Sequence, residues 1–457
     1  MESTILPTAE RAAPAMAHTE PFLAAWQSLE SRLNGAQPRP IKALRQAAVD
    51  RFAANGFPTP RLEDWRSTDV EAIYETRFAY RNAPGTVTEA ELAPFRYAGC
   101  AQLVFVDGHY VPALSRLTEL PAGIQAGSLA EALAAAPERV GGQLATLARM
   151  ETPAQAFVAL NTAFIRDGLY VAADRGAVAE TPIQALFVST GDDDGVCFPR
   201  NLVVADEASQ LTVIETYATL GRGRHFTCGV TEALVGPGAV VDHYKVQKEQ
   251  RSAFHVAALY VHQDRASTFD SHSVQHGGAL VRNDWVAVLA GEGVSCTLNG
   301  LYVMAGEQHV DNHMLVEHVA PNCYSFELYK GILEEASSSV FNGRIFVHKG
   351  AQKTDAVQSN KNLLLSRQAL AQSNPQLEIF ADDVRCTHGS TVGQLDEEAV
   401  FYLRSRGIGD EAAKSILTYA FAADIVERIK PAPVREDLEA FLFQRLPDGD
   451  IVRMAAL

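Results

Sequence analysis

Cysteine is scarce in this chain. Its 457 residues include six, at positions 100, 197, 228, 296, 323 and 386, with no CxxC or other close pair. That excludes a disulfide framework and a self-contained zinc ribbon, and fits reduced thiols in a cytoplasmic protein. Long apolar runs are also missing. Nowhere do about 18 apolar residues follow one another, so no transmembrane helix is expected. The opening stretch MESTILPTAERAAPAMAHTEPF has no basic segment leading into an apolar one, so no secretory signal is expected. Positive charge is in deficit, with 39 Lys and Arg against 55 Asp and Glu and a net charge of −16. This balance disfavours a nucleic-acid backbone or an anionic membrane as the main partner. No phosphate-cradling GxxxxGK[ST] occurs, so the chain has no expected ATP site. GEGVSC and GPGAVV lack the third glycine and the strand–helix setting of a dinucleotide fingerprint. Nor is there a GxSxG, an HExxH or an EF-hand loop.

What remains is ordinary core-forming material, 47% hydrophobic and 21% charged, arranged in three regions. Residues 1–150 read as mainly helical, with Phe22, Trp26, Leu29 and Leu33 at helical spacing and a second such run ending at Gly56 and Pro58. A short hairpin is expected across Asp107-Gly108 in AQLVFVDGHYVP. Residues 151–395 are a series of short β-rich runs separated by Gly, Asn and Asp, with no helical pattern between them. Such a span, roughly 240 residues, is too long for one sandwich of about 100 and favours a stacked solenoid. The fold class expected is therefore mainly β, a parallel β-helix core with helical flanks, although no strict sequence period is visible. Residues 396–457 turn helical again. Asp396 is the expected N-cap and Gly407 the stop of one helix, and two more follow. In the second, Ile416, Leu417, Ala420, Phe421, Ile425 and Ile429 form one apolar stripe. A stripe this apolar must be covered, either within the chain or by a docked partner.

Two clusters carry candidate chemistry. Histidines gather at His272 and His276, and again at His309, His313 and His318 with Asp311. His309, Asp311 and His313 share one face of a strand, a metal-type set. The simpler reading is polar residues on solvent-facing strand positions. The stretch DDVRCTHGS at 382–390 is the second cluster. In a strand Asp382, Val384, Cys386 and His388 share one face. Thiolate and imidazole suit iron, zinc or an iron–sulfur cluster. Such centres want about four ligands, and one strand supplies two good ones. Packing, metal chemistry and a Cys–His nucleophile all stay open on spacing alone. The adjacent Asp382 and Asp383 point to opposite faces and cannot flank one glycosidic bond, which disfavours a polysaccharide-cleaving β-helix.

The blocks VEHVAPNCYSFELYKGIL, VFNGRIFV, AQKTDAVQSNKNLLLS and PQLEIFADDVRCTHGSTVGQLDEEAVFYLRSRGI occur in this order between 316 and 408. Together they resemble the SufB/SufD family of iron–sulfur cluster assembly proteins. PRLEDWRSTDV at 60–70 resembles the N-terminal signature of the SufD branch. CTHGSTVGQL followed by FYLRSRGI is similar to that branch too, since SufB carries a glutamate–histidine pair there. The resemblance implies a parallel β-helix and a scaffold subunit that is not itself an enzyme. It implies pairing with SufB through β-helix edge strands, and docking of the SufC ATPase on the C-terminal helices, through Ile416, Leu417, Phe421 and Ile425. The family's functional histidine aligns with His388 and its nearby cysteine with Cys386, at the junction where a transient iron–sulfur cluster or iron is held. Two other readings stand beside this one. The chain is then either a purely structural partner of SufB and SufC, or a homodimer in which two Cys386 and two His388 form a metal site.

Overall fold

A computed structural model describes residues 18–33, 39–117 and 120–456. The β-rich runs fold into strands of about ten residues that alternate between two sheets. In the first sheet the order runs from Leu370–Ile379 through Ser338–Val347, His309–His318, Leu280–Leu289 and Phe254–Gln263 to His225–Val235 and Arg200–Ala205. In the second it runs from Arg385–Gly393 through Asp355–Leu364, Tyr324–Leu333, Ser295–Met304 and Thr268–Gln275 to Val240–Lys248, Gln210–Thr219 and Ile183–Ser189. All of these pairings are parallel and in register, so that Ser325, Ala356 and Cys386 stand side by side on successive turns. The result is a two-sheet solenoid of about eight turns. Alternation puts every second side chain into the lumen, where Val241, Phe269, Cys296, Leu298, Tyr329 and Phe341 belong to one apolar core.

The repeat that the residue types hide is present in the backbone. At the corner leading from the first sheet to the second, Gly176, Ala208, Gly238, Ala266, Gly293, Asn322 and Lys353 all take positive φ. Each of these amides donates to a carbonyl of the following corner, as Ala208 does to Pro237, Ala266 to Glu292 and Asn322 to Gln352. A left-handed residue with a Cβ costs roughly 1–2 kcal/mol. The corner hydrogen bonds hold that conformation even where alanine or lysine stands in place of glycine.

The N-terminal region caps one face and one end of the solenoid. Helices α1 (Glu20–Leu33), α2 (Arg39–Asn55) and α3 (Ala156–Ala163) enclose Phe22, Phe52, Phe57 and Trp65 against Phe157, Phe226 and Phe254. The hairpin at Asp107-Gly108 forms, with Ala101–Val106 antiparallel to His109–Tyr110. Its longer strand also pairs parallel with Ile183–Ser189, so it extends the second sheet. The PRLEDWRSTDV segment is clamped to the outer face of the first sheet. Trp65 stacks on the Arg282 guanidinium at 4.0 Å. Arg282 donates to the Asp64 carbonyl at 2.7 Å and to Asp311 Oδ2 at 2.6 Å. Thr68 donates to the same Asp311 oxygen at 2.5 Å.

After the last strand come α4 (Glu397–Ser405), α5 (Asp410–Val426), α6 (Ala432–Arg445) and α7 (Gly449–Ala456). Asp396 caps α4 by accepting from the Glu398 amide at 2.9 Å, and Gly407 follows at positive φ. The fourth of these helices was not expected from the sequence; a turn with Asp448 at positive φ separates it from α6. The last turns of α5 and the chain after it pack onto the second sheet. Ala422, Ile425, Val426 and Ile429 pack with Tyr244, Val246, Leu301 and Val303. Lys330 pairs with Asp424 at 2.9 Å, Lys430 with Asp242 at 2.6 Å and Arg445 with Glu334 at 3.0 Å. Among the described residues no helix is long and apolar enough to cross a membrane.

Candidate functional site at the open rung

The solenoid ends on two strands that each pair on one side only, Leu370–Ile379 and Arg385–Gly393. Register carries the alternation of the rungs below up to this end. Cys386 stands beside Ala356 and His388 beside Gln358, and both of those neighbours are buried in the lumen. Cys386 and His388 therefore belong to lumen-facing columns, as the two-residue spacing predicts, on a turn with no further turn above it. The outcomes differ for the two. Cys386 is half-buried and packs with Ile345, Val347, Ala351, Ala356 and Ala381. Burial, helped by the Asp355 charge, pushes its thiol pKa up, so the free thiol stays protonated. His388 is exposed.

Asp382, expected to share their face, does not. The strand begins at Arg385, and Asp382 lies exposed in the connection before it. The Cys386–His388 pair is a thiol and an imidazole about 6.5–7 Å apart at the backbone. Among the described residues no group of three His, Cys, Asp or Glu side chains is placed to hold a metal ion. Around this rung the surface is apolar where a soluble monomer is usually polar. Leu370, Ile379, Phe380 and Val392 are exposed on or beside the last two strands, and Phe401 and Tyr402 on α4.

The histidine clusters take other roles. His309, Asp311 and His313 share a face, but not one open to solvent. His309 meets Thr68 at 3.0 Å and Ser338 at 2.8 Å, and His313 meets Asp311 at 3.0 Å. Together with Arg282 they form the clamp for the N-terminal segment. His272 stacks on Tyr244 and is held down to a pKa of about 4 by burial. His276 stacks on Phe441 of α6 at 4.0 Å, and burial with Lys248 and Arg445 nearby takes it to about 3. His318 is buried. Polar decoration of a solvent-facing strand is thus the wrong description; these histidines lie under appended segments or within the solenoid. In the C-terminal stripe Ile425 is fully buried against the solenoid. It is a packing residue of this chain, whereas Ile416, Leu417 and Phe421 are half-buried.

Sequence reasoning missed two residues beneath the rung. Glu327 and Gln358 are buried in the column that ends in His388. Burial raises the Glu327 pKa to about 8, so this carboxyl is largely neutral at pH 7. The signal was present in SFELYKG, where a carboxylate at a lumen position interrupts apolar residues.

Comparison with known proteins agrees with this architecture. Residues 187–421 match the family described as "SUF system FeS cluster assembly, SufBD core domain", and residues 16–185 match "SufBD protein N-terminal region". The chain is 31% identical over 408 residues to the iron–sulfur cluster assembly protein SufD of Escherichia coli, covering 88% of this chain and 93% of that one. It is 31% identical over 417 residues to a SufBD family protein of Synechocystis, covering 89% and 91%. With the SufD of Bacillus subtilis it shares 27% over 295 residues, covering 63% and 66%. This chain belongs to the SufBD family of the SUF iron–sulfur cluster assembly system.

Proposed function

We propose that the chain is the SufD-type scaffold subunit of a SufB–SufC–SufD complex, and that its open rung meets SufB where a nascent iron–sulfur cluster is held. The observation that carries this reading is the incomplete site. Cys386 and His388 sit in lumen columns on a strand with one free edge, two ligands short of a tetrahedral set, inside an exposed apolar surround. A second polypeptide pairing along that edge supplies what is missing. Iron here is the cargo being assembled. A ring nitrogen of His388 coordinates it, and its charge stabilises the Cys386 thiolate that the apolar setting otherwise disfavours. SufC docks on the C-terminal helices through Ile416, Leu417 and Phe421, and ATP turnover in SufC moves those helices against the solenoid. This chain is not the catalyst in that scheme.

Replacing His388 by alanine in the complex co-expressed with SufB and SufC tests this. Iron and sulfide counted after anaerobic purification are expected to fall at least tenfold with all three subunits retained. A wild-type yield removes His388 from assembly. A purely structural role is the second reading, favoured by the packing of Cys386 into the apolar end of the lumen. It predicts normal cluster yield when Cys386 and His388 are both replaced. A homodimeric Cys₂His₂ site predicts stoichiometric metal in the protein expressed alone, read by elemental analysis.

A further inference from the structure

The column below His388 holds two polar side chains that nothing described so far uses. His388 pairs with Gln358, and Gln358 with Glu327, on three successive turns. Gln358 Nε2 donates to Glu327 Oε2 at 3.1 Å. That bond turns the amide so that Oε1 is the free end, and Gln358 Oε1 is buried with no hydrogen-bond partner. The amide packs over Gly343 of the opposite sheet, in the space that a Cβ there would take. A buried carbonyl oxygen left unpaired is destabilising, so its retention calls for a partner in some state of the molecule. Among the described residues, the side chain next above it in the column is His388, one strand spacing away, exposed and without a side-chain hydrogen bond in this chain. A histidine that ligates a metal nearly always donates its second ring N–H to a carbonyl or carboxylate, which fixes ring orientation and tautomer.

We propose that Gln358 is the positioning partner of His388: its Oε1 accepts the imidazole N–H when His388 engages metal, and Glu327 holds the Gln358 amide in the orientation that allows it. This inference rests on the reading of His388 as a ligand. Glu327 is suited to the task because its Oε2 accepts from the Gln358 amide nitrogen and so leaves the amide oxygen free.

The test is a cobalt(II) titration of the purified SufB–SufC–SufD complex, read by visible d–d absorption, with subunit content and melting temperature checked for each variant. Gln358→Met keeps the length and removes the acceptor. It is expected to weaken cobalt binding by about 10–100-fold and to alter the ligand-field bands. Glu327→Leu is expected to do the same, while Glu327→Gln, which can still accept from the Gln358 amide, restores tight binding. If Gln358→Met binds cobalt as wild type does while His388→Ala does not, the positioning role is overturned and His388 remains a ligand. If His388→Ala also binds as wild type, the reading on which the inference rests has failed instead. Should Gln358→Met not assemble, the Glu327 pair decides: equal affinity for Glu327→Leu and Glu327→Gln overturns the proposal.

Discussion

At the residue scale, what could be read from the sequence was side-chain direction along a strand. Cys386 and His388 were paired by the two-residue period, and the lumen columns of the rungs below continue to both. Asp382 was not excluded, because strand limits depend on which backbone groups find partners on the neighbouring turn, and pairing with Thr354–Asp355 starts only at Arg385. Glu327 was legible only as a carboxylate within SFELYKG; the burial that raises its pKa comes from turns distant in sequence. Its titration makes a prediction. The unfolded carboxyl ionises near 4.5 and the folded one near 8. As pH rises between those values the unfolded state loses its proton first, so stability is lost. Glu327→Gln removes that penalty, and its gain in melting temperature is expected to grow from pH 5 to pH 8. A gain independent of pH contradicts the assignment of a neutral acid.

At the scale of elements, helix limits were legible where a cap announced them, as at Asp396 and Gly407. The rung repeat was not, because its corners are set by φ and by hydrogen bonds between turns, and Ala208, Ala266, Asn322 and Lys353 satisfy both without being glycine. The apolar stripe on α5 was legible as a face, but not what covers it; part of it is covered by the solenoid. Ile425→Ala leaves a cavity there and is expected to cost about 2–5 kcal/mol. Hydrogen exchange would show α5 and α6 opening ahead of the solenoid. The same docking is expected to be pH-sensitive through His276. Its folded pKa, about 3, lies below the unfolded value near 6.5. As pH falls below 6.5 the unfolded or undocked state binds the proton, and by pH 5 about 2 kcal/mol of docking stability is lost. His276→Phe should abolish that acid sensitivity while retaining the stack on Phe441. Equal exchange rates of α6 in both proteins from pH 7 to pH 5 would rule it out.

At the scale of the whole molecule, the solenoid is closed at one end by the N-terminal region and left open at the other. The open end gathers an unpaired strand edge, exposed apolar side chains and the Cys386–His388 pair in one place. Phe380→Asp together with Val392→Asp should leave the melting temperature of the chain alone nearly unchanged, since both side chains are exposed. The same pair should abolish co-purification with SufB; retained binding at wild-type strength would place the contact elsewhere. The most direct test of the central claim combines Cys386→Ser with His388→Ala in the complex co-expressed with SufB and SufC, followed by anaerobic counting of iron and sulfide. The account predicts an intact three-subunit complex with both counts reduced at least tenfold. An intact complex carrying wild-type iron and sulfide would contradict it.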